Sequence, residues 1–388
     1  MRFFLIVFLI SAFVVFYAMI GYPILLKILD RVLKPQEITK KRGYEPKVTY
    51  MIVAHNEEAV IEQKLENALK IDYPKDKLQI LVASDNSTDS TNAIVERFIS
   101  RHADKDIMLF CTREHKGKTN AQNEAQKVAT GEILVLTDAN TILREDAIRE
   151  LVTSFANEDV VYVCGKLVYS NSEDNLASNS EATYWNMDLN MRDIESRIWT
   201  ITAGNGALYA CRNSEYVDFA PISCHDSIMP YTYSKQGKRA LFNPNAIAVE
   251  KAGETYRDEY KRKVRMNRDL FDMLRWGVSV INPFRYQWFS VFYFGHRTCR
   301  YLLWAAHFLL IVSSLGMAIC GEPIAWGILG IQILFFIIAA VSLKLNSNSP
   351  IMRMMGYYAM TVFAQIHAIY NIISGKAKPT WEKAESTR

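Results

Sequence analysis

The sequence predicts an α/β protein built on a mainly parallel sheet, with apolar helices attached at both ends. Two observations carry that reading. Between about Tyr44 and Asn282, β-rich runs alternate with helix-spaced runs, an order that implies a parallel sheet covered by helices. Outside that stretch, uncharged apolar runs are long enough to cross a bilayer. The chain has 388 residues, with 45 Lys+Arg against 41 Asp+Glu for a net charge of +4, and half of its residues are hydrophobic. The apolar content excludes general disorder, and so mild a charge excludes nucleic acid as the main partner.

Residues 1–30 read as a transmembrane anchor. Phe3–Leu26 carries no charge and would span about 36 Å as a helix, more than a hydrocarbon core needs. A cleaved leader would end in a small-x-small site, which is absent. Lys27, Arg31, Lys34, Lys40, Lys41 and Arg42 follow the run, whereas Arg2 alone precedes it. The positive-inside bias therefore places the following domain in the cytoplasm.

Residues 44–282 form the soluble domain. Val48–Val53 is a buried-strand run, followed by helical spacing over Glu57–Leu69. Leu78–Ala83 is a second strand, with a helix near Thr88–Ser100, and Asp106–Phe110 and Glu132–Leu136 continue the alternation. Ligands of such sheets bind beyond the carboxyl ends of the strands. The residues there are Ala54-His55-Asn56-Glu57-Glu58, Ser84-Asp85-Asn86-Ser87-Thr88-Asp89 and Thr137-Asp138-Ala139-Asn140. Singly, Asn56, Ser87 and Asp89 also suit helix capping. Together, three successive strand ends rich in carboxylates and amides point to a binding site.

Other chemistries are disfavoured. No G-x-G-x-x-G follows the first strand and no P-loop motif occurs. Cys111, Cys164, Cys211, Cys224, Cys299 and Cys320 form neither a C-x-x-C pair nor a zinc spacing, which suits reduced thiols in a cytoplasmic domain.

Residues 283–300, rich in Phe, Tyr and Trp with Arg285, Arg297 and Arg300, read as an amphipathic segment lying in the membrane interface. Residues 301–375 hold two to three membrane helices. Tyr301–Ile319 and Ala325–Leu343 are joined by the Cys320-Gly-Glu-Pro turn, and Met354–Ser374 carries Gln365, His367 and Asn371. Residues 376–388 are a polar tail. The expected location is the cell membrane, multi-pass.

The succession Val53-Ala-His-Asn-Glu-Glu58, Ser84-Asp85-Asn-Ser-Thr-Asp-Ser90, Lys116-Gly-Lys118 with Asn123, and Thr137-Asp138-Ala139-Asn140 resembles the family 2 glycosyltransferases of GT-A fold. Tyr184-Trp185, Gly204-Asn-Gly-Ala-Leu-Tyr-Ala210, His225-Asp226 and Arg262-Lys-Val-Arg265 follow in the same order. The resemblance covers roughly residues 48–276. The membrane layout resembles the branch containing hyaluronan, chitin, cellulose and poly-N-acetylglucosamine synthases and exopolysaccharide transferases.

That resemblance implies an inverting, metal-dependent transfer of a sugar from a nucleotide-sugar, UDP-linked in most such enzymes. The acceptor would be lipid-linked or a growing glycan at the cytoplasmic membrane face, in cell-surface polysaccharide synthesis. It gives Asp226 the role of catalytic base. His55, Asn56, Glu57, Asp85, Lys118, Asp138, Asn140 and Arg265 would bind the nucleotide-sugar, and Gly204, Asn205, His225 and Arg262 would meet the acceptor or sugar. Asp138 and Asn140 would hold Mg²⁺ or Mn²⁺, Asn140 standing where the family motif has a second Asp. Lys116 and Lys118 also suit a solvated turn, and the basic run Lys261–Arg268 suits a face resting on anionic lipid. The Gln and Trp of the Gln-x-x-Arg-Trp motif are missing around Arg265, which removes a stacking surface and weighs against processive polymerisation. A processive synthase that extrudes its polymer, and a catalytically silent subunit that binds sugar nucleotides, are the alternatives.

Overall fold

The computed structural model describes residues 1–36, 41, 43–171, 176–345, 347 and 349–380. Lys40, Arg42 and the end of the expected polar tail lie outside the described residues. The chain divides into two compact units.

The first unit comprises Lys34–Ser172, Trp185–Ala252 and the residues from Lys378 onward. Its core is an eight-stranded sheet. The strands are β1 (Val48–Ala54), β2 (Leu78–Ser84), β3 (Ile107–Cys111), β4 (Ile133–Asp138), β5 (Ile142–Leu143), β6 (Val160–Tyr169), β7 (Leu208–Arg212) and β8 (Arg239–Glu250), in spatial order β3-β2-β1-β4-β7-β6-β8-β5. The first four strands pair in parallel as expected. Beyond them the sheet is mixed, because β7 runs antiparallel to both β4 and β6. Every residue of β1 is buried, which explains its continuous apolar run: a central parallel strand is covered on both faces.

Register fixes the working edge. Ala54 pairs with Ser84 and Val53 with Asp138, so β1, β2 and β4 end level and deliver their polar tips to one side. The helices Ile61–Leu69 and Thr91–Arg101 return the chain after β1 and β2, and their buried faces carry Ile61, Leu65, Ala68, Val95 and Phe98.

The second unit comprises Met1–Leu33, residues up to Tyr184 ahead of the boundary at Trp185, and Gly253–Ala377. Two of its helices are long and apolar enough to cross a membrane, Arg2–Val32 and Pro323–Lys344. The expected interfacial stretch and the apolar helix after it meet at a sharp bend. Trp288–Tyr301 meets Leu303–Ile319 at 61°, and the pair counts as a third possible span. The helix Pro350–Ile373 is not among the candidate spans. Its buried Gln365 donates to the Arg300 carbonyl at 2.8 Å.

Residues 253–282 pack within this second unit around a buried ionic cluster. Glu259 accepts from Arg262 (2.8 Å) and from the Tyr357 hydroxyl (2.8 Å), with the Lys263 ammonium 3.5 Å away. That ammonium lies over the rings of Tyr357 and Tyr184, 4.2 and 4.8 Å from their centroids. Trp276 is buried.

Candidate active site

The tips of β1 and β2 are laced together. Asn56 and Asn86 adopt left-handed backbone (φ 54° and 51°), a conformation Asn tolerates better than most residues. Asn56 Oδ1 accepts from the Thr88 amide at 2.7 Å, and the Asn56 amide donates to Ser87 Oγ at 3.1 Å. The Glu57 amide donates to Thr91 Oγ1 at 2.7 Å, and Glu57 is buried. Asn56 and Glu57 thus help shape the tip.

Asp85 is buried, with the half-buried His55 beside it. His55 donates from Nδ1 to the Asp85 carbonyl at 2.7 Å, and its ring stacks on His115 with centroids 3.7 Å apart. The Asp85 carboxylate is buried and gathers the loop after β3. It accepts from the amides of Gly117 (2.7 Å) and Lys116 (3.2 Å) and from Thr112 Oγ1 (3.3 Å), with His115 Nδ1 at 2.8 Å. Four donors match the acceptor capacity of two carboxylate oxygens. Gly117 adopts φ 96°, and a Cβ there would stand 2.7 Å from the Pro379 carbonyl oxygen, so glycine is needed on both counts.

The next residue, Lys118, opens the helix Lys118–Gln126. Its ammonium forms an ion pair with Asp138 at the end of β4 and donates to the Gly206 carbonyl at 3.0 Å. Asn140, two residues on, turns its amide nitrogen to Glu250 at the end of β8, 2.9 Å away. Lys118 is thereby tied to the end of β4 and to the Gly206 backbone.

Gly204, Asn205 and Asp226 form the third side. The Gly204 amide donates to the Asp226 carbonyl at 2.7 Å, and Arg192 donates to the Gly204 carbonyl at 2.6 Å while pairing with Asp188 at 2.7 Å. Asn205 is buried, its amide donating to the Gly165 carbonyl at 2.7 Å and its oxygen accepting from the Leu208 amide. Asp226 sits in the first turn of the helix His225–Lys235, where the helix dipole favours a carboxylate. His225 is buried and fixes that helix start. It donates from Nε2 to Asn123 Oδ1 at 3.1 Å, between the rings of Tyr216 and Phe219. Burial, aided by the Lys118 charge, pushes the imidazole down to about 3, so it is neutral at ordinary pH.

These groups converge. The Gly117 amide holds Asp85 and its neighbour Lys118 holds Asp138. Burial raises the Tyr209 hydroxyl pKa well above its ordinary value, and Asp226 and Asp138 both add to that effect. Arg262 and Arg265 lie on the helix Tyr256–Met266 of the other unit, where Arg262 forks onto Glu259.

Three contributors escaped the sequence reading. His115 is one. Glu250 is another, 110 residues from Asn140, and no local pattern announces it. Lys64 is the third, fully buried beneath the 137–141 turn. It had a signal, because it shares the buried face of its helix with Ile61, Leu65 and Ala68. Burial lowers its ammonium pKa to about 7, while Asp138 and Glu250 pull upward.

The residues fit a hard divalent cation. Asp138 keeps a partly exposed carboxylate, Asn140 spends its nitrogen on Glu250, and all three offer oxygen ligands of the kind Mg²⁺ and Mn²⁺ prefer.

Residues 49–214, which hold β1 to β7, match the family model Glycosyl transferase family 2. The fold is GT-A: the mannosyltransferase PcManGT from Pyrobaculum calidifontis, solved in complex with GDP-Man and Mn²⁺, superposes with a TM-score of 0.73 at 24% identity. That likeness covers 95% of this chain and 99% of that one. The probable glycosyltransferase YdaM of Bacillus subtilis is 36% identical over 29% of this chain and 27% of its own length. The beta-monoglucosyldiacylglycerol synthase of Nostoc is 26% identical over 40% of this chain and 34% of its own. The chain thus aligns with about a quarter to a third of these two relatives.

Proposed function

We propose that the protein is an inverting, metal-dependent glycosyltransferase that moves a sugar from a nucleotide-sugar to a lipid-linked or glycan acceptor at the cytoplasmic membrane face. The observation that carries the reading is the linkage of Asp85, Lys118 and Asp138 at one edge of the sheet, where the Gly204–Gly206 loop joins Lys118 to the Asp226 backbone.

In this mechanism the loop pinned by Asp85 receives the nucleoside, with the stacked His55 and His115 rings beside it. Lys118 and the Asp138–Asn140 turn face the diphosphate. A divalent ion, when bound there, supplies Lewis-acid neutralisation of the leaving diphosphate. The Asp226 carboxylate accepts the proton of the acceptor hydroxyl as that oxygen attacks C1 of the sugar. The C1–O bond to the diphosphate breaks, the nucleoside diphosphate departs, and the configuration at C1 inverts. The long apolar helices supply the membrane attachment, and the glucolipid product in the name of the Nostoc relative favours a lipid acceptor.

The test is nucleotide release over a panel of UDP- and GDP-sugars, with membrane lipids present and Mg²⁺ or Mn²⁺ added or chelated. One donor should release its nucleotide in a metal-dependent way, and the labelled sugar should enter the lipid fraction. Release from no donor, or full activity after verified metal removal, overturns the reading.

A further inference from the structure

A lysine with no exposure to solvent demands an explanation, because burying an ammonium is costly unless its charge and donors are used. Lys64 projects from the helix Ile61–Leu69 into the space under the β4 tip. Its Nζ donates to Thr137 Oγ1 at 3.2 Å and to the Thr141 carbonyl, and lies 5.4 Å from the centroid of the Tyr50 ring. Thr137 and Thr141 bracket Asp138 and Asn140. Thr137 Oγ1 passes the contact on by donating to the Ala207 carbonyl at 2.7 Å, next to Gly206, whose carbonyl Lys118 holds from the other side. One buried ammonium therefore ties the turn after β4 to the Gly204–Ala207 loop.

We propose that Lys64 is a positioning residue. Its ammonium clamps the Thr137 hydroxyl and the Thr141 carbonyl, so that Asp138 and Asn140 stand ready for the divalent cation and the donor diphosphate. This rests on the metal-and-diphosphate reading of Asp138 given above. A purely stabilising role is a poor account. An apolar residue at this helix position would fill the same space without the cost of burying an ammonium. What an apolar side chain cannot do is hold two oxygens four residues apart in one geometry.

The experiment compares the full-length wild type with Lys64→Met and Lys64→Arg, reading Mn²⁺ affinity by titration, melting temperature, and kcat and KM for the donor. Lys64→Met takes this donor from the Thr137 hydroxyl and the Thr141 carbonyl, so it should melt moderately below wild type. It should bind Mn²⁺ about 10–100-fold more weakly and lose a similar factor in kcat, the range seen when groups that orient metal ligands are removed. Lys64→Arg, which keeps charge and donors, should retain more Mn²⁺ affinity than Lys64→Met. Wild-type Mn²⁺ affinity in Lys64→Met, or losses that merely follow a lowered melting temperature in both variants, overturns the proposal. Should no donor be turned over by the wild type, the transfer reading falls on its own. The Mn²⁺ titration still decides this one: equal affinity in wild type and Lys64→Met, or no binding by the wild type, overturns it.

Discussion

Gly204 lies so close to Tyr162 that a Cβ at position 204 would stand 1.9 Å from the phenolic oxygen and 2.9 Å from the ring carbon that bears it. Tyr162 is fully buried, and its hydroxyl has no hydrogen-bond partner among the described residues. Glycine is therefore required by space, and the loop that presents Asp226 depends on it through the Gly204 amide. Gly204→Ala should lower stability by about 1–3 kcal/mol, the usual cost of overpacking a filled core. Tyr162→Phe, which deletes the clashing oxygen, should recover part of that loss. Denaturant melts of the two single variants and the double variant check this, and strict additivity would refute the contact.

Asp226 is expected to serve chemistry and not binding. Asp226→Asn keeps the shape and the backbone bond to Gly204 while removing the proton acceptor. Its kcat should fall by about 10²–10⁴-fold, the range for losing a general base, with donor affinity within a few-fold of wild type. Turnover near wild type would remove the role.

His225 gives a pH signature. Its pKa lies near 3 in the folded protein against 6.5 in the unfolded chain, so the unfolded chain binds the extra proton between those values. The stability associated with a neutral His225 is complete above pH 6.5 and is lost as pH falls toward 3, with a slope of up to about 1.4 kcal/mol per pH unit. His225→Gln should flatten that acid limb in melts from pH 7 to pH 4. An unchanged limb would show that other groups carry it.

Much of this could be read along the chain, and the reason is geometric. Asp85 follows β2 and Asp138 ends β4, both buried strands, and in a parallel sheet that position alone assigns them to one edge. Pairings between distant segments were not readable. Glu250 meets Asn140 only because β8 crosses back beside β5, with Ile142 paired to Val249. The resemblance gives Arg262 to the acceptor, and no local pattern announces that its guanidinium also forks onto Glu259, three residues earlier. Lys64 could have been found, since a lysine on the apolar face of an amphipathic helix is out of pattern unless something beneath it needs a cation.

The contact between Asn140 and Glu250 yields a last expectation. Asn140→Asp replaces a 2.9 Å hydrogen bond with two facing carboxylates, which repel without a cation between them. The variant should melt below wild type in chelator. A bound divalent ion stabilises the folded state by mass action, so Mn²⁺ should raise the variant's melting temperature more than the wild type's. The comparison needs no sugar donor, and it separates metal binding from turnover. Equal Mn²⁺-linked shifts in both proteins would mean that the 138–140 turn does not hold the ion, and the base at Asp226 would then have to work beside the Lys118 ammonium alone.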